Sequence, residues 1–385
     1  MKPNSPILVM HVIHHLVVGG MENGLVNLIN SLPVAKFRHL VVCIEDYSDF
    51  AQRIKLADVQ VIALHRSKVG VWKLRWELFK LCHKLKPSLV HSRNQSGLDV
   101  LLPARLAGIR YCIHGEHGWD VDNLDGKNWK QLLLKRLHSP LVSHFITVSK
   151  DIKQHLINRV GVESSRITQI YNGVDTHKFA PVDYKRIDFL PLNFQMANCI
   201  LIGTVGRLQP VKDQATLLRA FSQLINNNVD LAENVRLVIV GNGPLLTELQ
   251  KLAVELNVSD KVWFSKSVDY VTDILKALDL YVQPSLNEGI SNTILEAMST
   301  GLPVIATAVG GNTELVYEDI TGSFFDPKDI NTLANLLYDY CKNEQMRKLR
   351  GLAARKVVEQ HYSLTRMMAD YEACYDKVFE NDMKN

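Results

Sequence analysis

Short apolar runs rich in Val, Ile and Leu alternate with longer stretches of helical periodicity along the whole chain. Strands are predicted at Ile7–Val12, His39–Ile44, Val59–Leu64, Leu89–His91, Tyr111–His114 and His144–Val148. A second series follows at Ile200–Val205, Val235–Val240, Lys261–Phe264, Leu280–Gln283, Pro303–Ala306 and Gly322–Phe325. Apolar positions three and four apart predict amphipathic helices between them, for example over Gln214–Asn226, Leu245–Leu256 and Ile330–Cys341. Apolar strands separated by helices imply parallel sheets covered on both faces. A stretch with Pro181 and Pro191 and no sustained period divides the two series near Thr176–Asn198. The pattern predicts an α/β protein of two doubly wound domains, residues 1–180 and 198–363, facing each other across a cleft. A last helical stretch, Leu364–Phe379 within residues 364–385, is expected to pack back across the junction. Ligands of open α/β sheets bind beyond the carboxyl ends of the strands, which directs the search for chemistry to that cleft.

Composition narrows the classes. The chain has 385 residues, 46% hydrophobic and 22% charged, which excludes low-complexity, collagen-like and wholly disordered chains. Ile7–Val18 is too short to span a bilayer and is broken by His11, His14 and His15. No small-residue cleavage site follows it, so it reads as a buried first strand rather than a signal peptide. No later run reaches the roughly 20 apolar residues of a membrane helix. The cysteines (Cys43, Cys82, Cys112, Cys199, Cys341 and Cys374) lie far apart with no Cys-x-x-Cys pair. That argues against a disulfide framework or a cysteine zinc site and for a reducing, cytoplasmic setting.

Charge is uneven. Residues 1–180 carry 24 Lys and Arg against 14 Asp and Glu, and residues 181–385 carry 20 against 26. A basic first half suits nucleic acid or an anionic membrane face, or is a plain solvated surface. Within it, Arg66–Lys86 interleaves Trp72, Leu74, Trp76, Leu78, Phe79 and Leu81 with Lys73, Arg75, Lys80 and Lys84. Lys127–His138 reads KNWKQLLLKRLH. Both have the composition of helices that lie in a lipid headgroup layer, and equally of surface helices with their leucines turned inward.

Three loops carry candidate chemistry. Gly19-Gly20-Met21-Glu22 follows the first strand and opens a helical run, a place where backbone approaches a ligand closely and N–H groups meet an anion. Gly206-Arg207-Leu208-Gln209-Pro210-Val211-Lys212-Asp213 follows Ile200–Val205, with two cations able to grip a diphosphate from two sides. Pro284–Met298 contains Glu288 in a loop and Glu296 eight residues on. Both carboxylates can accept hydrogen bonds from hydroxyls, while the amides of Gly289, Ile290, Ser291 and Asn292 face an anion. Thr293-x-x-Glu296 also reads as a capping box, which would use Glu296 on its own helix.

These segments, with Tyr171-Asn172-Gly173-Val174-Asp175 and Gly310-Gly311-Asn312-Thr313-Glu314, stand in the order and spacing of one family. The chain resembles the retaining GT-B glycosyltransferases of family four, and among them the exopolysaccharide and lipopolysaccharide sugar transferases. The likeness spans nearly the whole chain and is strongest from Tyr171 to Phe325. It implies two Rossmann-like domains and metal-independent, cofactor-free transfer of a sugar from a nucleotide diphosphate sugar, a UDP-sugar in particular, with retention through a front-face displacement. It assigns the donor diphosphate to Arg207 and Lys212, the ribose hydroxyls to Glu296 and the transferred sugar to Glu288. Gly206, Gly289, Ile290, Ser291, Asn292 and the Gly19–Gly20 loop would approach the donor, and Gly241, Gly243 and Val262 would line the nucleotide pocket. A first-domain histidine contacts the donor sugar in this family. His117, followed by Gly118, matches that pattern better than His114, the alternative. The implied acceptor is a glycan or a sugar on a lipid diphosphate, with an anionic membrane face as a further partner at the inner side of the cell membrane, and no nucleic acid. Three positions depart from the pattern: Lys266 and Asp213 stand where glycine is common, and Asn23 follows Glu22.

Rival readings rest on parts of the same signal. A nucleotide-sugar epimerase could share the architecture and the diphosphate site, and would need no acceptor. A non-catalytic nucleotide-sugar or nucleic-acid binder would follow from the basic half alone. A nicotinamide dehydrogenase is disfavoured, because Gly241-Asn242-Gly243 is followed by Leu246 where the dinucleotide fingerprint needs its third glycine. Asp120-Val121-Asp122 is a metal-binding pattern of a different glycosyltransferase fold and reads here as loop.

Overall fold

A computed structural model describes residues 6–119, 126–196, 198–266 and 270–380. The chain divides into two compact units, Met1–Asn172 with Thr365–Asn385, and Gly173–Leu364. The stretch in which the sequence pattern sets its boundary, Thr176–Asn198, lies within the second unit. There Val174 N donates to Tyr362 O and Leu364 N to Val174 O, both at 2.9 Å, stitching the segment to the end of the helix Glu344–His361.

The first unit has a seven-stranded parallel sheet: β1 (Ile7–Ile13), β2 (Phe37–Cys43), β3 (Gln60–Ala63), β4 (Leu89–Arg93), β5 (Tyr111–Glu116), β6 (His144–Thr147) and β7 (Ile167–Gln169). Their order is β3-β2-β1-β4-β5-β6-β7. Each strand but β7 matches a predicted one; three residues of β7 are too few for a periodicity to register. One face packs Met10, Val12, Leu40, Val42 and Val90 against Leu74, Leu78 and Cys82 of the helix Arg66–Leu85. That helix is broken at Gly70, whose φ is +76°. The basic stretch at Lys127–His138 forms a helix over Trp129–His138, capped by the Asn128 side chain.

The other face carries an unusual polar centre. His11, His39, His91 and Arg93 are all at most 4% exposed. Tyr371 and Tyr375 of the last helix, Leu364–Glu380, lie against His91 there, while Lys36 pairs with Glu372 at 2.9 Å and Asp376 at 2.7 Å. This helix thus folds with the first unit, although it follows the second in sequence.

The second unit has a six-stranded parallel sheet: β8 (Ile200–Val205), β9 (Val235–Val240), β10 (Val262–Ser265), β11 (Leu280–Gln283), β12 (Val304–Thr307) and β13 (Gly322–Phe325). The order is β10-β9-β8-β11-β12-β13. The helix Gln214–Asn227 buries Leu217, Leu218, Phe221, Leu224 and Ile225 against it. Each such side chain contributes roughly 1.5–3 kcal/mol. All six cysteines are free thiols, and no described helix is long and apolar enough to cross a membrane.

Candidate active site

In the second unit the strand order turns at the β8–β11 pair, with β9 and β10 on one side and β12 and β13 on the other. Loops leaving two such strands diverge and open a crevice where ligands of α/β sheets bind. The loops are Gly206–Asp213 and Pro284–Ser291, and Leu286 N donates to Val211 O at 2.8 Å to tie them together. Neighbouring loops pack closely beneath. A Cβ on Gly241 would overlap the Gly206 carbonyl oxygen, and one on Gly311 that of Gly289. Gly243 likewise abuts the Leu208 carbonyl. Gly241 and Gly243, expected in the nucleotide pocket, thus have close loop packing as their structural reason.

The two loops bring Lys212 and Glu288 into contact. Lys212 Nζ donates to Glu288 Oε1 at 2.5 Å, so its ammonium is held by a carboxylate rather than standing free for an anion. Ser285 Oγ donates to the same oxygen at 2.6 Å and Gln283 Nε2 at 2.8 Å. Arg207, by contrast, is exposed, and its guanidinium forms no hydrogen bond or ion pair among the described residues. Asp213, where the family favours glycine, has a left-handed backbone with φ +43°. Its carboxylate accepts from Thr216 Oγ1 at 2.8 Å, a local bond that helps an aspartate occupy that region.

The helix after the second loop runs over Asn292–Ser299, and its N-cap is Ser291, whose hydroxyl accepts from Ile294 N. The alternative reading of Thr293 and Glu296 as a capping box does not hold. Glu296 stands one residue beyond the first turn, and its carboxylate has no hydrogen bond among the described residues. The residue is partly exposed, while its carboxyl is closely surrounded. Burial pushes its carboxyl up to about 7, opposed only by the Lys178 charge. Ile290 and Ser291 are buried, the latter as the cap. Val262 opens β10 at the end of the strand away from the ligand loops, and its side chain is in the core. Ser265 and Lys266 stand at the carboxyl end instead.

In the first unit, Gly19 is the extended N-cap of the helix Gly20–Ser31, with φ −169°, so a left-handed turn is not its reason. His114 is 1% exposed, inside β5, with Nδ1 bonded to Ser92 Oγ at 2.8 Å and Nε2 3.4 Å from Glu116. Glu116 pairs with Lys135 at 2.7 Å. His114 is thereby committed to the interior. His117 lies just past the strand, partly exposed, its backbone N–H donating to Asn94 Oδ1 at 2.8 Å. Burial of its ring, reinforced by the Arg93 charge, pushes its imidazole down to about 3. Asp120-Val121-Asp122 lies outside the described residues. Missed by the sequence pattern are Gln283 and Asn94; the signal for Gln283 was a polar residue ending an apolar strand.

Residues 18–178 match the family described as Glycosyltransferase Family 4, and residues 196–357 the one described as Glycosyl transferases group 1. Over 343 residues, 87% of this chain and 88% of the relative, the sequence is 29% identical to a UDP-Gal:alpha-D-GlcNAc-diphosphoundecaprenol alpha-1,3-galactosyltransferase of Escherichia coli. Over 57% of this chain and 52% of the relative it is 32% identical to a D-inositol 3-phosphate glycosyltransferase of Mycolicibacterium smegmatis. The crystal structure of Anabaena Alr3699/HepE in complex with UDP and glucose aligns with a TM-score of 0.82 over 96% of this chain and all of that one, at 20% identity. Sucrose-phosphate synthase from Thermosynechococcus elongatus aligns with a TM-score of 0.81 over 97% of this chain and all of that one, at 18% identity. These structures speak for the fold, and the family matches take in the second sheet and all of the first but β1. The chain belongs to the GT-B glycosyltransferases of the family 4 type and is a transferase that draws its sugar from a nucleotide-sugar donor.

Proposed function

We propose that this transferase moves a hexose from a UDP-sugar, with retained anomeric configuration, to a hydroxyl of a glycan or of a sugar on a lipid diphosphate, in assembly of exopolysaccharide or another cell-surface polysaccharide. The observation that carries the reading is that Arg207, Lys212 and Glu288 occupy two hydrogen-bonded loops at the β8–β11 turn of the sheet order, with Glu296 on the helix that follows. The galactosyltransferase relative, whose name specifies a UDP-sugar and a diphosphoundecaprenol acceptor, supports the donor and acceptor classes.

In this reading Arg207 and Lys212 stabilise negative charge growing on the departing diphosphate, the largest single contribution such a site can make. Glu296 accepts hydrogen bonds from the ribose hydroxyls, and Glu288 and His117 orient the sugar. Glu288, held through Oε1 by Ser285 and Gln283, positions hydroxyls, and no residue is assigned as a covalent nucleophile. The leaving phosphate oxygen takes the acceptor proton.

The membrane partner has support from the surface of the first unit. Trp72, Trp76 and Trp129 are 83%, 57% and 67% exposed, with Leu133 and Leu137 also outward and Lys73, Lys80 and Lys130 exposed beside them. Exposed aromatic and cationic side chains of that kind, on each of the two helices, suit an anionic headgroup layer and a lipid-borne acceptor.

A panel of UDP-, GDP- and ADP-sugars, scored by thermal shift and by release of nucleoside diphosphate with a lipid-diphosphate sugar, tests the donor. Arg207→Ala and Lys212→Ala should each lower turnover by about 100-fold or more with the fold intact, the magnitude seen on removing one charge-stabilising group. Full activity in both variants would remove the diphosphate role.

A further inference from the structure

Strand β11 ends with polar side chains where its pattern calls for apolar ones. Tyr281, Gln283 and Ser285 are 0%, 1% and 0% exposed. Buried polar groups cost free energy unless fully paired, so three in five residues need a reason. The reason is directional. Thr293 Oγ1 donates to Gln283 Oε1 at 3.3 Å, and Tyr281 Oη, which also lies 3.2 Å from Val205 O, donates its single proton to the nearer Gln283 Oε1 at 2.7 Å. With both acceptor sites of that oxygen taken, the amide is oriented and its two N–H groups point the other way. One donates to Ser285 Oγ at 2.7 Å and one to Glu288 Oε1 at 2.8 Å. Ser285 then spends its single proton on Glu288 Oε1 at 2.6 Å. The backbone beneath is held as well, since Thr307 Oγ1 donates to Ser285 O at 2.6 Å.

Gln283, Ser285 and Lys212 all donate to one carboxylate oxygen, Oε1 of Glu288. Among the described residues no hydrogen bond ends on Oε2 of Glu288. The rigid side of the carboxylate is fixed by the sheet, and Lys212 is the one partner of Oε1 that comes from the other loop. If a diphosphate drew Lys212 away, Ser285 and Gln283 would still hold Glu288 in place.

We propose that Gln283, Ser285 and Tyr281 are positioning residues, which hold Glu288 by Oε1 so that Oε2 is presented to hydroxyls of the transferred sugar. The proposal rests on the reading of Glu288 as the sugar-facing carboxylate.

The test compares Tyr281→Phe, Ser285→Ala, Gln283→Leu and Glu288→Gln with wild type, using the nucleotide sugar that wild type turns over fastest in the panel above. Binding of the matching free nucleoside diphosphate is measured by calorimetry. Tyr281→Phe and Ser285→Ala remove one hydroxyl each and should fold even if Gln283→Leu does not. A hydrogen bond to a charged group lost from the transition state lowers kcat by about 10-fold or more. We expect that loss in Ser285→Ala and Gln283→Leu, a smaller one in Tyr281→Phe, nucleoside diphosphate affinity within about twofold of wild type, and recovery of kcat in Ser285→Thr. A kcat within twofold of wild type in all three, or one that falls only in step with nucleotide affinity and thermal stability, overturns the positioning role. A Glu288→Gln variant as active as wild type, or a wild type that turns over none of the panel, overturns the underlying reading instead.

Discussion

Tyr375 Oη lies 2.7 Å from Nδ1 of His91, joining the last helix to the centre of the first sheet. Arg93 approaches the same nitrogen at 3.3 Å, and an arginine can only donate. Nδ1 of His91 is therefore the acceptor and its proton sits on Nε2. The same rule sets His11, whose Nδ1 faces Arg93 at 3.2 Å, so that its Nε2–H donates to His39 Nδ1 at 3.0 Å. Tyr375→Phe removes one donor from this chain and should cost about 0.5–1.5 kcal/mol of stability, read as a shifted denaturant midpoint with unchanged slope. No change would mean that Arg93 alone satisfies His91.

Acid should act on the first unit before the second. Burial, with the Arg93 charge second, holds His11 and His91 well below their ordinary 6.5, and burial pushes His39 down to about 4. The folded state then binds fewer protons than the unfolded one once pH drops below 6.5. Stability is present above that value and is lost as pH falls towards 4. Amide hydrogen exchange, followed peptide by peptide, reports the two units separately. Loss of protection in the first unit between pH 6.5 and 4, ahead of the second, is expected, and equal protection of both units across that range would contradict the neutral histidine chain.

Glu296 responds in the opposite sense. Its folded value near 7 exceeds the ordinary 4.5, so the folded state keeps a proton that the unfolded state has lost between those values. Its contribution to stability declines as pH rises from 4.5 to 7 and is constant above. The ribose role requires the ionised form. Affinity for the intact nucleotide sugar should therefore strengthen from pH 6 to 8, and Glu296→Gln should flatten that profile. A wild-type profile already flat would remove the ribose role.

Loop glycines and Asp213 can be separated by substitution. Asp213→Gly relieves a left-handed backbone but forfeits the Thr216 bond, so stability should change by no more than about 1 kcal/mol. Gly241→Ala has no such freedom, because its Cβ meets backbone at φ +146°. A loss of about 2–4 kcal/mol in thermal or chemical unfolding is expected, together with weakened nucleotide binding. A stable Gly241→Ala protein would show that the two loops can part.

Vesicles containing anionic lipid should sediment the protein at low salt and release it at high salt. Each lysine near such a surface contributes about 1 kcal/mol. Lys73→Glu with Lys80→Glu should weaken sedimentation, and Trp72→Ala with Trp76→Ala should do so even at low salt. Failure of the wild-type protein to sediment would make the exposed tryptophans ordinary surface.

Much of this protein is written in local order. The runs at Ile7, His39, Ile200 and Val235 announce strands because alternation and branching act between neighbours in the chain, and Gly206–Asp213 and Pro284–Met298 stand out for the same reason. The family resemblance likewise rests on motifs read in order. Partners were not legible there. Lys212 and Glu288 are 76 residues apart and meet because parallel strand order sets β11 beside β8. His91 and Tyr375 are 284 apart and meet because the last helix folds with the first unit. Ser291 rather than Thr293 capped its helix, which freed Glu296, and Val262 turned inward to the core. Periodicity acts over a few residues, whereas burial and hydrogen-bond pairing are settled by which distant segments the sheets bring side by side.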